Sequence, residues 1–343
     1  MKNVTLGSTG ITAPQNGFGA LPVQRASKEE AVKILRNAYE GGMTFFDTAR
    51  AYSDSEEKLG EALSIYDRSS YYIATKSMAK KPEDFMDQLD LSLSLLKTDY
   101  VDIYQFHCAS QVYAPGDGTG MYECMLEAKK QGKIKHIGIT AHKIQVAIDA
   151  AKSGLYETVQ FPFSYLAGPK ELELVKVCQE NNVGFICMKG LAGGLITNSK
   201  AAMAFMSQFD GVMPIWGIQR QSELDEWLSY FNNEVTLDEE MKAFIQKEQD
   251  ELSGDFCRGC GYCMPCPAGI MINQCARMSL MIRRSPSKRW LSEDFQAEMM
   301  KIENCLNCKA CMKKCPYELN TPELLKKNLE DYKKVIAGEI KVQ

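Results

Sequence analysis

No uninterrupted apolar stretch in this 343-residue chain approaches the ~20 residues that a membrane helix needs, so an anchor of that kind is excluded. The first ten residues, MKNVTLGSTG, have no apolar h-region. No secretory signal is therefore expected, and the cytoplasm is the predicted compartment. Low-complexity tracts are absent, and so is any obvious sequence repeat. No G-x-G-x-x-G opens a helix after the first predicted strand, which argues against an open, doubly wound dinucleotide sheet. What the chain does have is 45% hydrophobic residues, enough for a sizeable core without help from metal. Its length suits one large domain and a small one.

Cysteine is plentiful. Of 13 in all, eight form two runs near the C-terminus: Cys257, Cys260, Cys263 and Cys266, then Cys305, Cys308, Cys311 and Cys315. Each run ends in Cys-Pro, and the second has the C-x2-C-x2-C-x3-C-P spacing by which a bacterial-type ferredoxin segment wraps a [4Fe–4S] cube. Three closely spaced thiolates cap one cube and the cysteine before proline reaches the other, so two runs predict two clusters with crossed ligands. Zinc is the competing reading, but a zinc knuckle needs two cysteines, not four in regular succession before proline. Disulfides do not suit a chain that otherwise looks cytoplasmic. In the first run only Met264 and Pro265 precede the last cysteine, which leaves Cys275 as a substitute for Cys266. Cys108, Cys124, Cys178 and Cys187 lie scattered among apolar residues and read as buried thiols.

The formal charge of −4 conceals an asymmetry. Residues 253–343 carry 15 Lys+Arg against 10 Asp+Glu, a surplus of +5 that leaves −9 for the rest. Thiolate-ligated cubes are anionic, so nearby cations account for the surplus without nucleic acid. The cluster Arg283, Arg284, Lys288 and Arg289 reads first as a solvated loop, and as a candidate dock for an acidic, ferredoxin-like or flavoprotein electron partner.

Upstream, short apolar runs alternate with amphipathic stretches about eight times. The predicted strands are 16–20, 44–47, 71–75, 100–106, 134–140, 158–161, 184–188 and 212–215. Helical segments such as 28–40, 82–96 and 170–180 lie between them, and in the second Phe85, Leu89, Leu93 and Leu96 recur at helical spacing. Strands that are apolar on both faces, each followed by a helix, predict a parallel sheet. Eight such units in this length match a (β/α)8 TIM barrel. The expected organisation is a barrel over 1–232, a linker helix over 233–252, a small, mainly helical, ferredoxin-like iron–sulfur domain over 253–320, and a last helix over 321–343. Within the tail, helices are expected over 268–282 and 293–302, with Thr321 as the N-cap of the final one.

Barrels place their chemistry at the C-terminal ends of the strands. Those ends carry Asp47 in FFDTARAY, Tyr52 five residues on, Lys76 in YYIATK and His107 in DIYQFH. In this order, with GMTFFDTARAY, EEKLGEAL, KTDYVDIYQFH and the GKIKHIGIT strand, the chain resembles the aldo/keto reductase family from about Leu6 to Phe231. The resemblance implies a nicotinamide nucleotide, NADH or NADPH, extended across the barrel mouth and a small carbonyl substrate. It implies Tyr52 as general acid, Lys76 and Asp47 as its support, and His107 as orienter of the carbonyl. On general grounds a nearby ammonium should lower the pKa of such a phenol. The same resemblance makes Gln160, Gly217 and Arg220 nucleotide contacts, with Gln219 where a Lys or Arg is common and Trp227 where an Asn is; Lys189, at the end of the seventh predicted strand before a Gly-rich run, is a further candidate for pyrophosphate contact. Barrel plus double-cluster tail is similar to an iron–sulfur subgroup of that family. Cubes pass single electrons whereas nicotinamide passes a hydride, and a flavin such as FMN is the group that would couple the two. The clusters are then an electron port, or else structural and sensory parts beside a reductase, with the barrel as scaffold.

Overall fold

The computed structural model describes residues 1–233, 235–252, 256–284 and 287–342. It divides into two compact units, Met1–Gly190 with Ser199–Met241, and Leu191–Asn198 with Lys242–Gln343. The expected boundary at 253 lies outside the described residues.

In the first unit a short antiparallel hairpin, β1 (Asn3–Thr5) and β2 (Thr12–Pro14), precedes eight parallel strands. These are β3 (Gly17–Gly19), β4 (Phe45–Asp47), β5 (Tyr72–Ser77), β6 (Val101–Phe106), β7 (Ile134–Thr140), β8 (Thr158–Pro162), β9 (Gly184–Met188) and β10 (Val212–Gly217). They close into a barrel, β10 pairing with β3. The helices α1 (Lys28–Glu40), α2 (Ser55–Leu63), α3 (Pro82–Leu96), α4 (Met121–Lys130), α5 (Ile144–Lys152), α6 (Pro169–Glu180), α7 (Ser199–Met206) and α8 (Gln221–Asn232) follow the strands in turn. The predicted (β/α)8 order is the observed one.

Local chemistry starts and stops these helices. Ser27 and Glu30 form a reciprocal capping box at the head of α1. Pro82 opens α3, and Lys97 in the left-handed region (φ 54) ends it. The α3 stripe Phe85, Leu89, Leu93 and Leu96 is buried as its spacing predicts, each side chain adding about 1.5–3 kcal/mol of apolar burial. The hairpin was not legible. Val4, Leu6, Ile11 and Ala13 pack with Phe45, Ile103, Ile186 and Met213, which plugs the end of the barrel where strands begin. The opposite end is left for chemistry.

The second unit contains most of α9 (Glu239–Glu251), then α10 (Ile272–Cys275), α11 (Met278–Arg284), α12 (Glu293–Met300), α13 (Ala310–Lys314) and α14 (Thr321–Ile336). The helix expected over 268–282 is broken in two: Gly269 is left-handed (φ 69), so the first piece starts only at Ile272 and stops at Cys275. Asn320, not Thr321, holds the N-cap position of α14, and the Thr321 hydroxyl donates to Leu319 O at 3.3 Å instead. Along α14, Leu325, Leu329, Tyr332 and Val335 form the buried face. Asn328 on the same face accepts from Ser279 N and donates to Ala276 O, tying α14 to α11.

Two of the four cations in the basic cluster expected to dock a partner are engaged inside their own unit, while Lys288 and Arg289 are exposed. Arg283 makes a two-pronged pair with Asp331 (2.6 and 2.7 Å), and Arg284 bonds both Glu248 and Glu251. A planar guanidinium held this way is a clamp between helices.

Candidate active site and cysteine cavities

Parallel register brings the predicted polar residues to one end of the barrel. Asp47 is the last residue of β4, Lys76 lies near the end of β5 opposite Gln105 of β6, and His107 follows β6 directly. Lys76 is 1% exposed and Asp47 2%. The Lys76 ammonium donates to Asp47 Oδ1 at 2.6 Å, Asp47 Oδ2 at 2.7 Å and Thr48 O at 2.7 Å. An ammonium has three N–H groups, so all are engaged. It faces the Tyr52 ring at 5.3 Å from the centroid, and the Tyr52 and His107 rings meet edge to face at 5.8 Å.

This geometry corrects the expectation that Lys76 lowers the Tyr52 pKa. Burial pushes the phenol well above its usual value, and the Asp47 carboxylate adds to the push. Lys76 cannot counter it by a hydrogen bond because its protons are committed to Asp47 and Thr48. Burial raises Asp47 as well, opposed by Lys76 and by the amides of Gln160 and Gln105. His107 goes the other way: burial first, then the Lys76 charge, depress it to about 3. Among the described residues its buried Nδ1 has no hydrogen-bond partner. Tyr52 and His107 are thus both neutral at physiological pH.

Gln105, missed at first, donates to Gln160 at 2.9 Å and belongs to the same buried set. Its signal was present in DIYQFH, since it lies two residues before His107 and strand side chains alternate. Thr48 contributes through its carbonyl, which no sequence pattern marks.

The expected nucleotide residues are less gathered. Gln160 is buried beside Asp47, whereas Gly217 and Arg220 are exposed near the head of α8. Lys189, left-handed at φ 59, follows β9 directly. Arg220 lines a cleft of ≈ 580 Å³ with Arg25, Lys33 and Glu30, a mixed-charge surface with three cations. The Glu223 carboxylate accepts from the backbone N–H of Gln219 (2.9 Å) and Arg220 (3.2 Å), covering the donors a phosphate would use there. Trp227 is no surface contact: it is 3% exposed and stacks on Trp216 at 4.0 Å. Gly190 fits beneath that pair, since a Cβ on it would lie 2.5 Å from the Trp216 ring.

In the second unit the two cysteine runs interleave. One cavity is lined by Cys257, Cys260 and Cys263 of the first run with Cys315 of the second. Another is lined by Cys305, Cys308 and Cys311 with Cys266, and Cys263 borders it too. The grouping is the crossed one that ferredoxin spacing predicts, despite the shortened first run. Both runs turn alike: Gly259 and Asn307, then Gly261 and Lys309, all have positive φ at matching places. Cys275 lines neither cavity. It is fully buried, and burial pushes its thiol up to about 12. Among the described residues no three His, Cys, Asp or Glu side chains are gathered for a single metal ion. A cube of iron and sulfide holds its thiolates further apart than one ion does, and the two four-thiol cavities fit that group.

A closed β/α barrel with a buried Asp–Lys pair under a tyrosine, carried with a two-run cysteine unit, defines a redox class of protein. Residues 15–210 match the model of the aldo/keto reductase family, and residues 256–320 match a 4Fe-4S dicluster domain. The chain belongs to the aldo/keto reductase family. It is 31% identical over 212 residues to L-galactose dehydrogenase of Arabidopsis thaliana, covering 56% of this chain and 66% of that one. With aldo-keto reductase YhdN of Bacillus subtilis it shares 27% over 215 residues (57% and 64%). With the NADH-specific methylglyoxal reductase of Escherichia coli it shares 26% over 231 residues (58% and 70%). The chain thus spans somewhat less than two thirds of the first of these relatives. Among solved structures, the holo form of an aldo-keto reductase from Bacillus halodurans superposes with a TM-score of 0.63 at 21% identity, covering 72% of this chain and 96% of that one. A thermostable aldo-keto reductase solved with epalrestat gives 0.61 at 23% (72% and 100%), a likeness of fold.

Proposed function

We propose that this chain is an oxidoreductase that reduces a small carbonyl compound with NADH or NADPH in its barrel, and that its second unit holds two [4Fe–4S] clusters that move single electrons. One arrangement carries the reading: Lys76, fixed by all three N–H groups, beside the Tyr52–His107 pair. A bound nicotinamide supplies the hydride. A carbonyl that takes hydride becomes an alkoxide and needs a proton. Tyr52 has one to give, and burial keeps it protonated until the alkoxide forms. His107, neutral, can donate an N–H to the same oxygen without holding a spare proton. The Asp47 carboxylate, held against Lys76, adds to what keeps the phenol protonated beforehand. Because Tyr52 rests protonated at neutral pH, the site stands in the state that carbonyl reduction needs, whereas alcohol oxidation would need the phenolate.

The test is carbonyl-dependent oxidation of NADH and NADPH by the cluster-loaded protein. Methylglyoxal, named for the Escherichia coli relative, is a first compound to try. Tyr52→Phe should lose a factor of about 10²–10⁴ in kcat, the usual worth of a general acid, and bind cofactor as before. Wild-type turnover by that variant refutes the assignment.

The paired cysteine cavities favour a second reading, in which the barrel serves one-electron transfer through a flavin such as FMN. Yellow colour left in solution after acid precipitates the protein supports it, and a colourless supernatant rejects it. The partner would be an acidic one-electron carrier of ferredoxin or flavodoxin kind. Its landing place would be the exposed cysteine Cys308 with Leu306, 68% exposed, and the exposed Lys309, Lys313 and Lys314.

A further inference from the structure

Arg277 is 8% exposed, yet among the described residues no carboxylate contributes to its electrostatic setting. Its Nη2 donates to Gly193 O at 2.9 Å and Ala192 O at 3.2 Å and lies 3.3 Å from Met281 Sδ. Its buried Nε has no hydrogen-bond partner among the described residues. Among the described residues all its acceptors are neutral and none is a counter-ion, so a full positive charge sits away from water in an arrangement that is strongly unfavourable unless an anion completes it. The anion's place is marked by two glycines. A Cβ on Gly259 would lie 2.6 Å from Arg277 Nη1, and one on Gly193 would lie 2.9 Å from it. Both glycines have left-handed φ, +64° and +67°, so the guanidinium is received between the Leu191–Asn198 segment and the loop joining Cys257 to Cys260. Arg258 also borders this cavity, but it is partly exposed and lies over the Phe256 and Tyr317 rings. The cation bordering the other cavity, Lys309, is exposed, and so is Cys308.

We infer that Arg277 is a positioning residue for the cluster held by Cys257, Cys260, Cys263 and Cys315, and makes it the electron-holding member of the pair. The inference rests on the reading that both cysteine sets hold [4Fe–4S] clusters. Reduction adds one electron and one negative charge to a cluster. A fixed cation away from water favours that state, whereas solvent screens Lys309 beside the other set. An external one-electron carrier is oxidised as the exposed cluster at Cys308 is reduced. That cluster is reoxidised as the one beside Arg277 takes the electron. No proton is transferred in either step.

The experiment is an EPR-monitored redox titration of the full chain with both clusters assembled, alongside an iron count. Wild type should titrate in two separate one-electron steps. Arg277→Met should lower the higher step by at least tenfold in its equilibrium, about 59 mV for one electron, and leave the lower step in place. Arg277→Gln, which keeps a donor for the Ala192 and Gly193 carbonyls, should shift like methionine, and Arg277→Lys should stay near wild type. The Gln and Lys variants decide the matter if the methionine variant loses a cluster. Equal potentials in those two variants overturn the inference, as does an equal shift of both steps. A preparation that binds no iron overturns the cluster reading itself, which is a different failure from intact clusters indifferent to residue 277.

Discussion

Acidifying the protein from about pH 7.5 to about pH 5 is expected to destabilise the barrel by about 4 kcal/mol, before any carboxylate of ordinary pKa is protonated. Two histidines account for it. His107 and His142 are each depressed from 6.5 to about 3, mainly by burial, with Lys76 adding to the first and Lys189 to the second. Between those values each is neutral in the fold and charged in the unfolded chain. The unfolded state then binds more protons, so stability is present at neutral pH and is lost as pH falls through the unfolded value. Integrated over this range, each histidine contributes about 2 kcal/mol, and the figure hardly changes while the folded pKa stays below about 4. Set against the ~5–15 kcal/mol of a typical domain, the loss is large. Asp47, raised by burial, acts in the opposite sense and trims it, while Glu157, held down to about 2, enters only at lower pH. The stacked Trp216 and Trp227 report on the barrel, so denaturant unfolding followed by fluorescence in a Trp290→Phe background reads this unit. His107→Gln should remove about half of the acid-dependent change. A midpoint flat across the range, or a His107→Gln protein with the full slope, refutes the reasoning.

Lys76→Met should cost about 3–5 kcal/mol in the same assay, because it leaves Asp47 buried without its cation. A loss below about 1 kcal/mol, the range of surface pairs, would mean that the pair is open to water. Cys266→Ala should lose the cluster shared with Cys305, Cys308 and Cys311 and retain about half the iron, whereas Cys275→Ala keeps all of it, as measured by iron analysis. The reverse pattern would make Cys275 the ligand.

Much of the barrel was legible because its strands are short and apolar on both faces and its helices are amphipathic. Predicted and observed strands differ by only a residue or two at their ends. The Asp47, Lys76, His107 and Tyr52 set was legible for a related reason: strand ends in a closed barrel point to one rim. The hairpin was not, since three-residue strands such as Asn3–Thr5 carry no period, and their pairing depends on the left-handed Gly7 and on packing against distant residues. Backbone acceptors were equally invisible. Thr48 O takes the third Lys76 proton, and the Ala192 and Gly193 carbonyls take Arg277. The sign of the Tyr52 shift was misread because it depends on which acceptors hold the lysine, a matter of ångströms rather than of spacing. Charge counting also misled. Arg283 and Arg284 look like a patch in sequence, but their partners Asp331, Glu248 and Glu251 lie far along the chain.

The Leu191–Asn198 segment groups with the C-terminal unit, although it is made between β9 and β10. Its Leu195 and Ile196 are fully or almost fully buried. During synthesis these side chains leave the ribosome well before Lys242 and everything after it. At about 5–20 residues per second they wait several seconds for their neighbours. A barrel cut off before the cysteine runs would keep that wait for good, with greasy residues bared on a loop, and it should clump where the whole chain does not.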